Sequence, residues 1–191
     1  MLETLYISKS KIRRDLLALF FTNPYQKYYL RELERILGYS AGSIRRELLK
    51  FQKDDLFKTE KAGNMLYYQL NTKHPLYREL KSIVAKTVGL EARIRIALSS
   101  IEGLRTAFIY GSYAKNQENI TSDIDLFIIG DIDEDKLVSE IGRIEKELKR
   151  EVNYSLYSKD DFQKKKKKKD PFIMDVIKNP KIFLIGNEDD L

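Results

Sequence analysis

The chain has 191 residues, 42% apolar and 34% charged, a soluble globular balance with room for one ordinary domain or two small ones. It holds no cysteine, which excludes disulfides, thiolate metal ligands and a cysteine nucleophile. No run approaches the roughly 20 apolar residues that span a bilayer, so no membrane association is expected.

The opening Met1-Leu2-Glu3-Thr4-Leu5 lacks the basic flank and apolar stretch of a signal peptide, and a cytoplasmic protein is expected. The formal charge is +6; residues 1–75 carry 14 Lys/Arg against 8 Asp/Glu and the remainder 21 of each, so all of the excess lies in the first segment. A polyanion partner belongs there first.

Ile12, Leu16, Leu19 and Phe20 form a helical stripe that ends at the turn dipeptide Asn23-Pro24. Leu30, Leu33, Ile36 and Leu37 form a second, short one. Gly38 can close it and Ser40 can cap the next helix, whose inward residues are Ile44, Leu48 and Phe51. The opposite face then presents Ser43, Arg45, Arg46 and Lys50. From Leu56 to Leu70 the pattern becomes two strands, Phe57 and Thr59 before the turn Ala62-Gly63-Asn64 and Leu66, Tyr68 and Leu70 after it. Three helices followed by a hairpin is the order of a winged helix-turn-helix, and double-stranded DNA is the expected partner of residues 1–75. Ser43, Arg45, Arg46 and Lys50 are the candidates on the groove-facing helix, with Lys58 and Lys61 on the wing near phosphates. A helical subdomain with a solvated basic face, and RNA contact, are the alternatives.

His74-Pro75 closes this segment, and the lone His74 reads as a surface or hinge residue. Residues 76–103 read as connecting helices, with Leu80, Ile83, Val84 and Val88 on one stripe, a connecting arm or a homodimer contact.

Residues 104–191 form the second domain. Arg105 to Tyr110 has strand character and Gly111-Ser112 follows at once, a setting suited to phosphate: close backbone approach at glycine, a hydroxyl at serine and a helix N-terminus beyond. Ala114, Lys115 and Asn116 are expected to begin that helix, with Lys115 facing phosphate oxygens. Thr121-Ser122 leads into Asp123-Ile124-Asp125-Leu126-Phe127-Ile128-Ile129, where strand alternation puts Asp123 and Asp125 on one face. Two carboxylates side by side repel unless a cation lies between them, and Mg²⁺ shared with the phosphates of a nucleotide answers that. An ordinary solvated strand edge is the plainer reading.

Gly111-Ser112, ten intervening residues and then Asp123-Ile124-Asp125 resemble the hallmark of the DNA polymerase beta-like nucleotidyltransferase superfamily, and its minimal prokaryotic members most closely. Residues 8–73 separately resemble winged-helix regulators of the ArsR or MarR kind. The first resemblance implies that Asp123 and Asp125 bind metal, that Gly111, Ser112 and Lys115 meet nucleotide phosphates, and that a third carboxylate comes from a later strand, Glu151-Val152-Asn153-Tyr154-Ser155-Leu156. The family's acid falls on Asn153, which can offer a carbonyl oxygen to metal but no carboxylate base; Glu151, two residues away on the same face, is the candidate substitute.

Val138, Ile141, Ile144 and Leu148 make Glu134 to Arg150 a helix covering the sheet. The six lysines Lys164 to Lys169, bounded by Asp160, Asp161 and Asp170, read by default as a solvated face or loop, with phosphate, nucleic acid or acidic protein as the alternative. Ile182-Phe183-Leu184-Ile185 reads as a short buried strand before Gly186. The fold class is therefore α+β, a winged helix-turn-helix followed by a small mixed-sheet domain with flanking helices. Three functions stay open: transfer of a nucleoside monophosphate from a nucleoside triphosphate to a hydroxyl acceptor, a DNA-binding regulator with a nucleotide-sensing or dimerising second domain, and an antitoxin-like partner of another protein or toxin.

Overall fold

The computed structural model describes residues 9–117 and 122–191, so Met1 to Leu5 and Thr121 lie outside the described residues. The chain divides between Ala92 and Arg93 into two compact units.

The first unit opens with α1 (Lys11–Thr22), where the Ser10 hydroxyl accepts from the Arg13 N–H and Asn23 ends the helix. A three-residue strand β1 (Lys27–Tyr29) leads straight into α2 (Leu30–Leu37). β1 leaves no trace in the sequence pattern, because three residues give no measurable alternation. Gly38 ends α2 in the left-handed conformation, φ 70°, which a residue without a Cβ adopts at no steric cost. α3 (Ala41–Lys53) starts at once, Ser40 accepting from the Ser43 N–H and Glu34 Oε1 from the Ala41 N–H at 3.1 Å. Two first-turn donors are thereby satisfied by side chains.

β2 (Phe57–Ala62) and β3 (Met65–Leu70) form a hairpin around Gly63 and Asn64, and β3 is the middle strand between β1 and β2. The helices and the sheet share one core. Phe20 meets Tyr28 and Phe57 edge-on at 5.2 and 4.5 Å, with Leu16, Leu33, Ile44 and Leu48 fully buried around them. α4 (Tyr77–Thr87) adds Val84 and Val88 to this core, while Ile83, read as part of the same stripe, is exposed. His74 works as a turn clamp. Its Nδ1 accepts from the Leu76 N–H at 3.1 Å and its Nε2 lies 3.2 Å from the Asp54 carbonyl oxygen, so both ring nitrogens are engaged by backbone. The division between units falls within α5 (Leu90–Leu98).

The second unit is a four-stranded sheet in the order β6-β5-β4-β7. β4 (Leu104–Tyr110) pairs antiparallel with β5 (Ile124–Gly130) and with β7 (Ile182–Ile185), while β5 pairs parallel with β6 (Val152–Tyr157). The one-turn helix α6 (Gly111–Ala114) follows β4 directly. α7 (Glu134–Leu148) makes the crossover that a parallel pair requires, capped by Asp133 and closed at Lys149 with φ 55°. Its buried stripe is Leu137, Ile141, Ile144 and Leu148; Val138 points to solvent, one residue off the expected face.

β5 is buried on both faces. Ile124, Leu126 and Ile128 fill one side, and Phe127 and Ile129 join Phe108, Phe162, Ile173 and Val176 on the other. Phe127 stacks on Phe108 at 5.1 Å and on Tyr157 at 5.2 Å. Asp125 shares that face. The solvated strand edge considered for Asp123 and Asp125 therefore does not describe β5, which is an interior strand whose acidic end sits over an aromatic core. α8 (Lys159–Lys167) and α9 (Pro171–Lys178) cover this side, held inward by Phe162, Ile173 and Val176. No helix among the described residues is long and apolar enough to cross a membrane.

Candidate active site

Strand register assembles the site. Tyr110 of β4 lies opposite Asp125 of β5, and Asp125 lies beside Asn153 of β6, so three polar side chains form a row across three strands. Asp123 stands two residues before Asp125 and therefore on the same face. Asn153 donates from its amide nitrogen to Asp123 Oδ2 at 3.1 Å. Both aspartates are half-buried and Asn153 is exposed.

Gly111 fixes the approach of the two elements. Its φ is +71°, and a Cβ placed on it would lie 2.2 Å from Asp125 Oδ2. A Cβ would require the Asp125 carboxylate to shift, so the start of α6 rests directly against it, and the positive φ itself favours glycine. Ser112 is the next residue along, half-buried, with its carbonyl accepting from the Gln117 N–H at 2.9 Å. The helix expected to begin at Ala114, Lys115 and Asn116 instead begins at Gly111 and ends at Ala114; Lys115 is its C-cap and Asn116 turns away at φ 54°. Lys115 stands at the far end of that turn.

Burial, and then the charge of Asp123, raise the Asp125 carboxyl above the ordinary aspartate range. Burial also raises the Tyr110 phenol, a hydrogen bond with Ser155 opposes that, and the Asp125 charge adds to it. The pair of acids thus sits where positive charge is wanted.

Glu151 precedes β6, and its carbonyl accepts from the Ile124 N–H at 2.9 Å. Its side chain lines an open groove of about 450 Å³ with Glu145, Lys149, Arg150 and Asn153. Among the described residues no three His, Cys, Asp or Glu side chains gather as a metal-holding group, so Glu151 does not complete a carboxylate triad here. Asn153 is the bridge between the groove and Asp123. Arg150, expected at the end of the covering helix, lies beyond that helix, and no spacing pattern in the sequence marks it as part of the site. Its Nε donates to the Ser122 carbonyl at 2.9 Å and its guanidinium lies 5.7 Å from the Tyr113 ring centroid. It thereby ties the residue before Asp123 to the helical turn that carries Ser112.

In the first unit, Arg45, Arg46 and Lys50 are exposed on α3, and Ser43 is half-buried. Arg46 donates to the Ser43 hydroxyl at 3.3 Å, and Lys50 pairs with Glu47 at 2.9 Å. Lys58 and Lys61 are both exposed on β2 but three residues apart, so they point to opposite faces. Lys61 shares the face of Thr59, which Gln52 of α3 reaches at 3.3 Å; Lys58 shares that of Glu60, which pairs with Lys27.

The family model described as polymerase beta, nucleotidyltransferase matches residues 93–189. The chain belongs to this family. The match falls within the second unit, the nucleotidyltransferase unit. No curated protein matches the chain. Among solved structures, a toxin-antitoxin with AMP-PNP is similar at 19% identity and a TM-score of 0.38, over 52% of this chain and 76% of that one. A mutant of the toxin-antitoxin MntA-HpeT gives 17% and 0.39, over 53% and 77%. A Sulfolobus solfataricus protein assigned as a nucleotidyltransferase gives 20% and 0.28, over 41% and 68%.

Proposed function

We propose that the nucleotidyltransferase unit transfers a nucleoside monophosphate from a nucleoside triphosphate, ATP foremost, to a hydroxyl acceptor, in a Mg²⁺- or Mn²⁺-dependent reaction. The observation that carries this reading is the contact of Gly111 with Asp125: backbone, with no side chain between, lies against one of two adjacent carboxylates. The donor set suits a hard divalent cation, since Asp123 and Asp125 are paired oxygen ligands with the Asp125 carboxyl raised by burial and by its neighbour. Asp123 and Asp125 would hold the ion, with the Asn153 carbonyl oxygen as a neutral third donor. When bound, the ion would offset phosphate charge and favour ionisation of the acceptor hydroxyl.

The chain's own residues do the placing. Ser112 offers a hydroxyl to a phosphate oxygen, Lys115 adds a cation at the end of the same turn, and Arg150 holds that turn against the Asp123 strand. The acceptor oxygen bonds to the α-phosphorus as the bond to the pyrophosphate oxygen breaks, and the acceptor proton passes to Glu151 or to solvent. Incubation with α-labelled ATP, Mg²⁺ or Mn²⁺ and mixed protein, RNA and small-molecule acceptors should give label incorporation that drops roughly 1,000-fold or more in Asp123→Ala/Asp125→Ala. Incorporation that survives this change would sink the assignment.

One observation favours a second reading, a nucleotide-binding unit without transfer: the Asn153 amide occupies Asp123 as a hydrogen-bond donor where the family resemblance implies an acid. Asn153→Asp decides between them. A gain of tenfold or more in label incorporation supports a weakened enzyme, whereas no incorporation in either form, with nucleotide still bound, supports the sensor.

For the first unit we propose a winged helix-turn-helix that binds duplex DNA through α3, with Ser43, Arg45, Arg46 and Lys50 at the groove. Helix, strand, two helices joined by a tight turn, and hairpin support it. Of the wing lysines, Lys61 shares the face that reaches α3 and is the better candidate; Lys58 points to the other side.

A further inference from the structure

The lysine run has a definite shape in the fold. Phe162 turns inward and meets Phe127 edge-on at 5.9 Å, anchoring α8 on the sheet. Lys164, Lys165 and Lys168, at helical spacing i, i+1 and i+4, then line a cavity of about 630 Å³ together with Tyr157, Asp161 and Asp170. Its size is that of a small-molecule site. Tyr157 is a fixed wall, because its ring is stacked on Phe127, and the Lys165 ammonium lies 5.8 Å from its centroid.

The acids in this cavity neutralise it only in part. Asp170 is committed to capping α9, accepting from the Phe172 and Ile173 N–H groups at 3.1 and 3.2 Å, and Lys165 donates to it in a long hydrogen bond of 3.5 Å. Lys164 is 3.7 Å from Asp161, with both side chains largely exposed, a pair of little energetic weight. Lys168 has no ion pair with another described residue. A phosphate oxygen could displace the loose pairs and recruit Lys168 at small cost.

The cavity lies on the same sheet face as the aspartates. Along β6, Asn153, Ser155 and Tyr157 share one side; Asn153 reaches Asp123, Ser155 meets the Tyr110 hydroxyl, and Tyr157 forms the cavity wall. Four residues of strand advance roughly 13 Å. We propose that this cavity is an anion site that holds a phosphate group of the acceptor, at roughly that distance from the carboxylates where transfer occurs. The anion site stands on its own geometry, whereas the role given to its ligand rests on the transferase reading. The ligand class is a phosphate ester, carried either by a nucleic-acid strand or by a phosphorylated small molecule.

The test uses the full chain bearing Ser112→Ala/Lys115→Ala and Arg45→Ala/Arg46→Ala, without divalent cation, so that neither the phosphate-binding turn nor α3 contributes. Calorimetric titration with inorganic tripolyphosphate should show one site, weakened at least tenfold by Lys164→Gln/Lys165→Gln/Lys168→Gln. The same number of charges removed elsewhere, at Lys136, Lys146 and Lys178, should leave it unchanged, with thermal melts showing that both variants fold. Equal binding by the pocket variant, or equal loss in the control, overturns the site. A 5′-phosphorylated hexauridylate that binds tenfold more tightly than glucose 6-phosphate, with the same lysine dependence, assigns a strand; the reverse order assigns a small molecule. Lysine-dependent binding alongside absent label incorporation would overturn the transferase reading alone. Label incorporation without lysine-dependent binding would overturn the anion site alone.

Discussion

The two units present their candidate residues in opposite ways. On α3 the basic candidates Arg45, Arg46 and Lys50 are long, exposed side chains, Arg46 donating to Ser43 and Lys50 pairing with Glu47. At the β4–α6 junction the reverse holds: Gly111 adopts φ +71°, and a Cβ there would meet the Asp125 carboxylate and require it to shift. A face made of exposed charged side chains can change residue by residue, whereas one built on a positive-φ backbone contact is constrained. The nucleotidyltransferase unit accordingly carries its identity in local geometry and the first unit carries its reading in element order and charge.

The sharpest way to break that contrast is Gly111→Ala. A Cβ would both collide with Asp125 Oδ2 and force a positive φ on alanine, so a loss of roughly 1–3 kcal/mol in urea unfolding is expected, with label incorporation falling by about 100-fold or more. Unchanged stability and activity would mean that the contact positions nothing. Arg45→Ala/Arg46→Ala is the corresponding change in the first unit. It should leave the melting temperature nearly unchanged, because both side chains are exposed, yet weaken duplex binding by roughly tenfold or more and reduce the salt slope by about 2. Equal affinity measured by anisotropy would remove α3 from the interface.

Much of this was legible because the signals are local. Gly38 and Ser40 marked a helix end and a helix start with two separate physical devices, and a pair of acids two apart in an apolar run already implied one strand face. What escaped the sequence depends on pairing. Asn153 meets Asp123 only because β6 runs parallel to β5 with Asn153 beside Asp125, a register no single strand contains. Arg150 matters through a carbonyl and a ring that lie far from it in the chain. The role of Gly111 is also wider than the sequence implied, since the group it admits closely is a carboxylate of the chain itself. The buried stripe of α7 moved from Val138 to Leu137 because two adjacent apolar residues leave helical phase ambiguous by 100°.

The smallest expected effect tests whether the acidic pair is held against its own preference. Burial and the Asp123 charge raise the Asp125 carboxyl, so the folded chain binds that proton more tightly than the unfolded chain does. For a raised carboxyl the favourable contribution is complete below the ordinary aspartate value of 3.8 and is lost as pH rises through the higher folded value. At pH 7 the ionised Asp125 is therefore a cost to the metal-free fold. Asp125→Asn keeps the shape and removes the charge. Its melting temperature in chelator should exceed that of the native chain by roughly 1–3 °C at pH 7, solvent screening at the open side keeping the gain small, and the difference should shrink as pH approaches 4. Mg²⁺ or Mn²⁺ should then raise the melting temperature of the native chain and leave the variant behind. A variant less stable at pH 7 would show instead that the carboxylate supports the fold, and the case for a strained acidic pair awaiting a cation would fail with it.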